Sequence, residues 1–191
     1  MGRLVLVLGG ARSGKSAFAE RLARTEGGDA VLYVATATAT DDEMAARIAR
    51  HRADRSTAWE TVELPMRAGD TLRQRGNLPR VLLLDCLTLL LSTPAFTDSD
   101  LSVDAIEAHA TAEVDGLLRL RDGYPGTLIV VSNEVGMGLH PNSALGRNYR
   151  DALGRANQRL AVHADAAYLL IAGIPLDLHR LRATLPEATQ R

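Results

Sequence analysis

Five short runs of nearly unbroken hydrophobicity occur at residues 4–8, 31–36, 81–84, 128–132 and 167–172, each bounded by Gly, Asp or Asn. Side chains alternate across a strand, so a run that is apolar at every position has both faces covered, as in a parallel sheet. Between these runs, helical patterns span residues 15–25, 41–53, 66–75, 103–121 and 143–163. Strand and helix alternate from end to end, which predicts an α/β fold with a mostly parallel sheet, flanking helices and right-handed crossovers. Residues 59–64 alternate apolar and polar and offer one added strand. Residues 92–100, rich in Ser, Thr, Pro and Asp, read as a surface loop. No internal repeat appears, so one domain over residues 1–180 is expected, followed by a tail over 181–191.

Composition narrows the class. The 191 residues are 46% hydrophobic and 24% charged, ordinary for a globular chain. With 22 Lys+Arg against 23 Asp+Glu there is no basic excess to bind a phosphate backbone, so no nucleic-acid partner is expected. No apolar run approaches the roughly 18 residues of a membrane span, and the N-terminal run is too short for a signal peptide. A cytoplasmic location follows as an expectation. Cys86, the only cysteine, sits in the apolar run 81–87 and reads as core. Of the 22 basic residues, 21 are Arg and one is Lys, and that lysine is Lys15. An ammonium and a guanidinium are not interchangeable where space is tight.

Lys15 falls in Gly9-Gly10-Ala11-Arg12-Ser13-Gly14-Lys15-Ser16, a full match to G-x-x-x-x-G-K-[ST] between a strand and a helix. Glycines let successive N–H groups turn inward around a phosphate, and the helix N-terminus adds its positive end. Lys15 would reach the β- and γ-phosphates, and the Ser16 hydroxyl would bind Mg²⁺. Asp85 ends the run 81–84 and is the expected second metal-site residue, at the end of a strand neighbouring the phosphate-loop strand. Its plainer reading is a strand-ending turn or helix cap.

A second motif lies in the helix that Thr40 and Glu43 open as a capping box. Met44, Ile48, His51 and Arg55 share one face, so His51 follows the apolar stripe, among Arg47, Arg50, Arg52 and Arg55. Burial and nearby positive charge both favour a neutral imidazole, which can attack phosphorus. Local sequence leaves two readings open: a nucleophile, or a half-buried histidine on a solvated arginine helix. His109, His140, His163 and His179 lack metal-ligand spacing and read as structural or surface residues. The segment Ser132-Asn133-Glu134-Val135-Gly136-Met137-Gly138 follows a strand and suits either a substrate loop or a plain turn, with Glu134 a candidate base. Asn157, Gln158 and Arg159 face either a ligand or solvent.

Taken together, the phosphate loop, Tyr33-Val34-Ala35-Thr36-Ala37, the histidine helix, Trp59-Glu60-Thr61-Val62-Glu63, Leu84-Asp85-Cys86-Leu87-Thr88, the Asn-Glu-Val-Gly-Met-Gly segment and Gly154-Arg155-Ala156-Asn157-Gln158-Arg159-Leu160 carry a resemblance. The chain resembles the bifunctional adenosylcobinamide kinase/adenosylcobinamide-phosphate guanylyltransferases of cobalamin biosynthesis, from residue 1 to about 175. The resemblance implies a RecA-like P-loop fold and a homotrimer. It implies phosphorylation of adenosylcobinamide by ATP or GTP, then GMP transfer from GTP through a covalent GMP–histidine to adenosylcobinamide-phosphate, giving adenosylcobinamide-GDP. His51 matches the guanylylated histidine. Residues 9–16, Ala35, Thr36, Ala37, Arg52, Ala53, Asp54, Arg55, Glu63 and Asp85 match the family's GTP-binding positions. Two other readings compete: a P-loop small-molecule kinase with a structural His51, and a nucleotide switch, for which no Asn-Lys-x-Asp motif is present.

Overall fold

A computed structural model describes residues 1–38, 42, 45, 46, 49, 56–97 and 102–183, with backbone alone over 93–97. One sheet contains β1 (Arg3–Gly9), β2 (Val31–Ala35), β3 (Glu60–Glu63), β4 (Val81–Asp85), β5 (Thr127–Asn133), β6 (Ala166–Ile171) and β7 (Ile174–Asp177). The helices are α1 (Lys15–Gly27), α2 (Ala68–Gln74), α3 (Leu87–Thr97), α4 (Val103–Gly123) and α5 (Ala144–His163). Strand order is β3-β2-β4-β5-β1-β6-β7, parallel except for β7 against β6. This is an α/β sheet, mostly parallel, with helices on both faces and the phosphate-loop sequence directly after its first strand. The five expected strands are present to within one residue at each end, and residues 59–64 supply β3 beside β2.

Alternation along the strands sorts the core into two layers. Leu4, Leu6, Leu8, Leu82, Leu84, Leu128 and Val130 pack toward α2, α3, α4 and α5. Val5, Val7, Tyr33, Leu83, Ile129 and Val131 pack toward Ala19 and Ala23 of α1 and toward Trp59. Both faces are covered, which explains the unbroken hydrophobic runs. The starts of α4 and α5 follow ordinary capping chemistry: Ser102 Oγ accepts from the Ala105 N–H and Ser143 Oγ from the Gly146 N–H.

Three expectations change. The stretch expected as a loop from residue 92 is helical through residue 97, as the end of α3. Pro94 lacks the N–H that would bond the Leu90 carbonyl four residues back. The His109 Nε2–H of α4 donates to that carbonyl instead, at 3.2 Å, so the proline is accommodated from a neighbouring helix. Second, β4 is not the neighbour of β1, because β5 lies between them. Sequence order does not fix sheet order when crossovers are long enough to skip a position. Third, β7 was not foreseen: Ile174-Pro175-Leu176-Asp177 is short and holds a proline, which only an edge strand tolerates.

Asp42, Ala45, Ala46 and Ala49 are helical. Thr40, Glu43 and His51 lie outside the described residues, as do residues 184–191 of the expected tail. Its first residues, Leu181 and Arg182, close turns onto the Asp177 and His179 carbonyls. Among the described residues no helix is long and apolar enough to cross a membrane.

Candidate active site

Parallel strands bring their carboxyl ends to one edge of the sheet, the usual ligand edge of an open α/β fold. Gly9, the last residue of β1, lies level with Asn133, the last of β5. On the other side of β5, Asp85 of β4, Ala35 of β2 and Glu63 of β3 form a second level row.

The loop after β1 folds as the motif requires. Arg12 (φ 56°) and Gly14 (φ 90°) adopt left-handed backbone, and the Ser13 N–H donates to the Gly10 carbonyl at 3.3 Å. Lys15 Nζ bends back to the same carbonyl, 3.2 Å away. A Cβ at Gly9 would lie 2.3 Å from Ser13 Oγ, so only glycine lets the loop fold inward there. Ser13 is buried and its Oγ has no hydrogen-bond partner. The first turn of α1 carries neither a side-chain cap nor an acid, which leaves its positive end to an anion. An unforeseen prop comes from the β6–β7 hairpin. Ala172 (φ 51°) and Gly173 (φ 82°) form its turn, and the Gly173 N–H donates to the Ser13 carbonyl at 2.9 Å.

Asp85 follows Leu84 in the alternation, so it shares the α1 face with Lys15 and Ser16. The buried Tyr33 hydroxyl donates to Asp85 Oδ2 at 2.7 Å and fixes that carboxylate from β2. The Asp85–Cys86 peptide is cis. Burial, and then the Asp85 charge, push the Cys86 thiol up to about 11, while the Lys15 ammonium opposes the shift. Lys15 is thus within electrostatic reach of the end of β4. Cys86 is core, as expected, and holds little thiolate at neutral pH.

The remaining site residues divide. Ala35 and Ala37 lie at and just past the end of β2, and Glu63 is exposed at the end of the edge strand. Thr36 is buried, and its hydroxyl donates to the Cys86 carbonyl (2.7 Å) and accepts from the Cys86 N–H (2.8 Å). In this structure its side chain ties β2 to the turn after β4. His51, Arg52, Ala53, Asp54 and Arg55 lie outside the described residues. Glu134 Oε1 accepts from the Gly136 N–H at 2.7 Å. It also lines a cavity of about 540 Å³ against α5, with Leu8, Arg150, Arg155 and Gln158.

The whole sequence decides the family. The chain matches the family described as cobinamide kinase / cobinamide phosphate guanyltransferase over residues 5–178. It belongs to that family. The bifunctional adenosylcobalamin biosynthesis protein CobP of Pseudomonas aeruginosa is 44% identical, over 91% of this chain and 95% of that protein. The bifunctional adenosylcobalamin biosynthesis protein CobU of Escherichia coli is 41% identical, over 90% of this chain and 97% of its own. Among solved structures, the flagellar accessory protein FlaH from Methanocaldococcus jannaschii aligns over 91% of this chain and 74% of that one, at 16% identity and a TM-score of 0.45.

Within this cobinamide kinase/guanyltransferase chain, sequence reasoning gave Asn133 a place only as part of a substrate loop or plain turn, and assigned no individual role to Tyr33, Thr88 or Gly173. A signal existed for Asn133, since it ends an apolar strand with a polar residue just as Asp85 does. Nothing local marked Gly173, whose contact with the phosphate loop at Ser13 joins residues near opposite ends of the sequence.

Proposed function

We propose that this chain catalyses both reactions of its family: phosphorylation of adenosylcobinamide by ATP or GTP, and GMP transfer from GTP to the resulting phosphate. The observation that carries the proposal is the convergence of Lys15, the phosphate loop and the Tyr33-held Asp85 at one edge of the sheet. The loop N–H groups and Lys15 bind and orient the triphosphate and neutralise its charge. Ser16 and Asp85 suit Mg²⁺, which takes one or two protein oxygens together with phosphate oxygens. When bound, that ion would offset charge on the phosphates. Residues 9–16, Ala35, Thr36, Ala37, Arg52, Ala53, Asp54, Arg55 and Glu63 complete the proposed nucleotide site.

In the second reaction His51 attacks the α-phosphorus of GTP, pyrophosphate leaves, and the GMP passes to the acceptor phosphate. Two displacements through a phosphoramidate replace one between two anions. Kinase chemistry breaks at the γ-phosphorus and guanylylation at the α-phosphorus, so the loop serves two nucleotide poses or takes two conformations. We assign residues 1–180 to this transferase domain and 181–191 to a tail, in a cytoplasmic homotrimer whose mass light scattering would check.

Incubation with α-phosphate-labelled GTP tests the reading. The expected result is label on the denatured chain that is lost in acid, survives alkali and is absent from His51→Ala, with cobinamide phosphorylation kept. An unlabelled chain that binds GTP and phosphorylates cobinamide would overturn the guanylyltransferase half and leave a small-molecule kinase.

A further inference from the structure

Asn133 stands at the end of the strand between the phosphate loop and Asp85, and its backbone is held on both sides. Its N–H donates to Thr88 Oγ1 at 2.8 Å and its carbonyl accepts from Asn157 Nδ2 at 3.0 Å. Thr88 and Asn157 are themselves anchored: the Tyr149 hydroxyl donates to the Thr88 carbonyl at 2.6 Å, and Ser132 Oγ donates to Asn157 Oδ1 at 2.7 Å. Because Ser132 faces α5, strand alternation turns Asn133 to the opposite face, with Val131, Asp85 and α1. There its Oδ1 is buried and has no hydrogen-bond partner. A buried acceptor left unpaired lowers stability, and a residue this firmly positioned is not unpaired by looseness.

The missing partner has to be a donor. Phosphate oxygens are acceptors and cannot satisfy Oδ1. On the proposed kinase reading, the alcohol that receives the γ-phosphoryl group has to bring its O–H to the phosphate-loop edge. We infer that Asn133 Oδ1 accepts the hydrogen bond of the acceptor hydroxyl in the kinase step, fixing its oxygen in line with the γ-phosphorus. In that step the hydroxyl oxygen forms a bond to phosphorus. The γ-phosphorus–bridging-oxygen bond breaks, and its electron pair leaves with the nucleoside diphosphate. The hydroxyl proton passes to water, since the amide accepts a hydrogen bond and not the proton. The inference rests on the kinase half of the proposed function.

The test compares two activities of one chain. In Asn133→Leu and Asn133→Ala, cobinamide phosphorylation should fall about tenfold to a hundredfold, the usual range for losing one hydrogen bond to a substrate hydroxyl. Labelling of the chain by α-labelled GTP, which involves no alcohol, should stay within about twofold. Asn133→Leu should melt at or above the wild-type temperature, because it removes an unpaired buried oxygen. Equal loss of both activities would assign Asn133 to the nucleotide or its hydrated cation and overturn the inference, as would two unchanged activities. If Asn133→Leu misfolds, Asn133→Ala carries the comparison. Wild-type protein that phosphorylates nothing overturns the kinase reading itself, an outcome separate from any variant.

Discussion

Among the described residues two buried polar atoms at the carboxyl edge of the sheet, Ser13 Oγ and Asn133 Oδ1, lack hydrogen-bond partners, whereas the buried charges of the helical layer opposite α1 are paired. Glu113 of α4 is buried and accepts from the backbone N–H groups of Arg67 and Ala68, the latter at 3.3 Å, so it caps α2 from across the layer. Arg121 is buried too, and it donates to Asp122 and to the His163 carbonyl. An unpaired buried polar group costs about 1–3 kcal/mol. The helical layer avoids that cost because only stability acts on it. On the proposed reading, the sheet edge carries it because ligand atoms complete the bonding there. Unpaired buried polar atoms, although paired ones such as Thr36 and Ser132 lie beside them, are therefore what sets the sheet edge apart from the helical layer among the described residues.

Variants in the helical layer should lower stability while leaving the chemistry of the folded fraction intact. The largest effect is expected at Gly69, where α2 crosses α4 in backbone contact. A Cβ there would lie 2.2 Å from the carbonyl carbon of Gly116, with no flexible side chain to give way. Gly69→Ala should cost about 3 kcal/mol in urea unfolding, with GTP affinity per folded molecule unchanged. A cost below about 1 kcal/mol would mean that the helices part freely, and that this layer is not the rigid one.

Glu113 gives the next effect and makes the comparison depend on pH. Burial raises its carboxyl above the ordinary range of 4.5, against the lowering by the Arg67 and Ala68 N–H groups and by the His109 charge. A raised acid binds its proton more tightly folded than unfolded, so its contribution to stability falls as pH rises from about 4.5 through the folded value. Glu113→Gln removes that titration. The stability of wild type relative to Glu113→Gln should therefore be greater at pH 4.5 than at pH 8, and Glu113→Ala should cost about 2 kcal/mol through the lost cap. A difference that is flat with pH would mean that Glu113 does not titrate abnormally.

The sheet and the phosphate loop were legible because their signals are local: unbroken apolar runs, and eight consecutive residues whose types match a phosphate cradle. The end of α3 was not, since a proline in a polar stretch reads as a loop until His109 of another helix is seen to replace its missing hydrogen bond. Strand order was hidden for a similar reason, and with it the position of Asn133 between Gly9 and the end of β4. Thr36 adds a contact that no sequence signal carries: the resemblance places it at the nucleotide, and the fold engages its hydroxyl with Cys86. Sequence named the candidate chemical groups, but only the fold shows what each described one touches.

Tyr33 lies on the boundary between the two kinds of polar burial, and Tyr33→Phe tests on which side it belongs. The residue is 1% exposed and gives its hydroxyl proton to Asp85 Oδ2. Removing that oxygen leaves the ring's packing intact, so the loss of stability should be small, about 1–2 kcal/mol for one bond to a charged group. If Tyr33 serves only the core, the Mg²⁺ concentration giving half-maximal guanylylation stays at its wild-type value while the melting temperature drops. If it orients Asp85 for the metal, that concentration should rise about tenfold, as is usual when a partner of a ligating carboxylate is lost. We expect the rise, because Asp85 lies on the sheet face covered by α1, the helix that Lys15 and Ser16 open, and Tyr33 reaches its carboxylate from the adjacent strand, where packing against α1 fixes the angle. An unchanged Mg²⁺ dependence would return Tyr33 to the core and remove the positional support for Asp85 as a metal ligand.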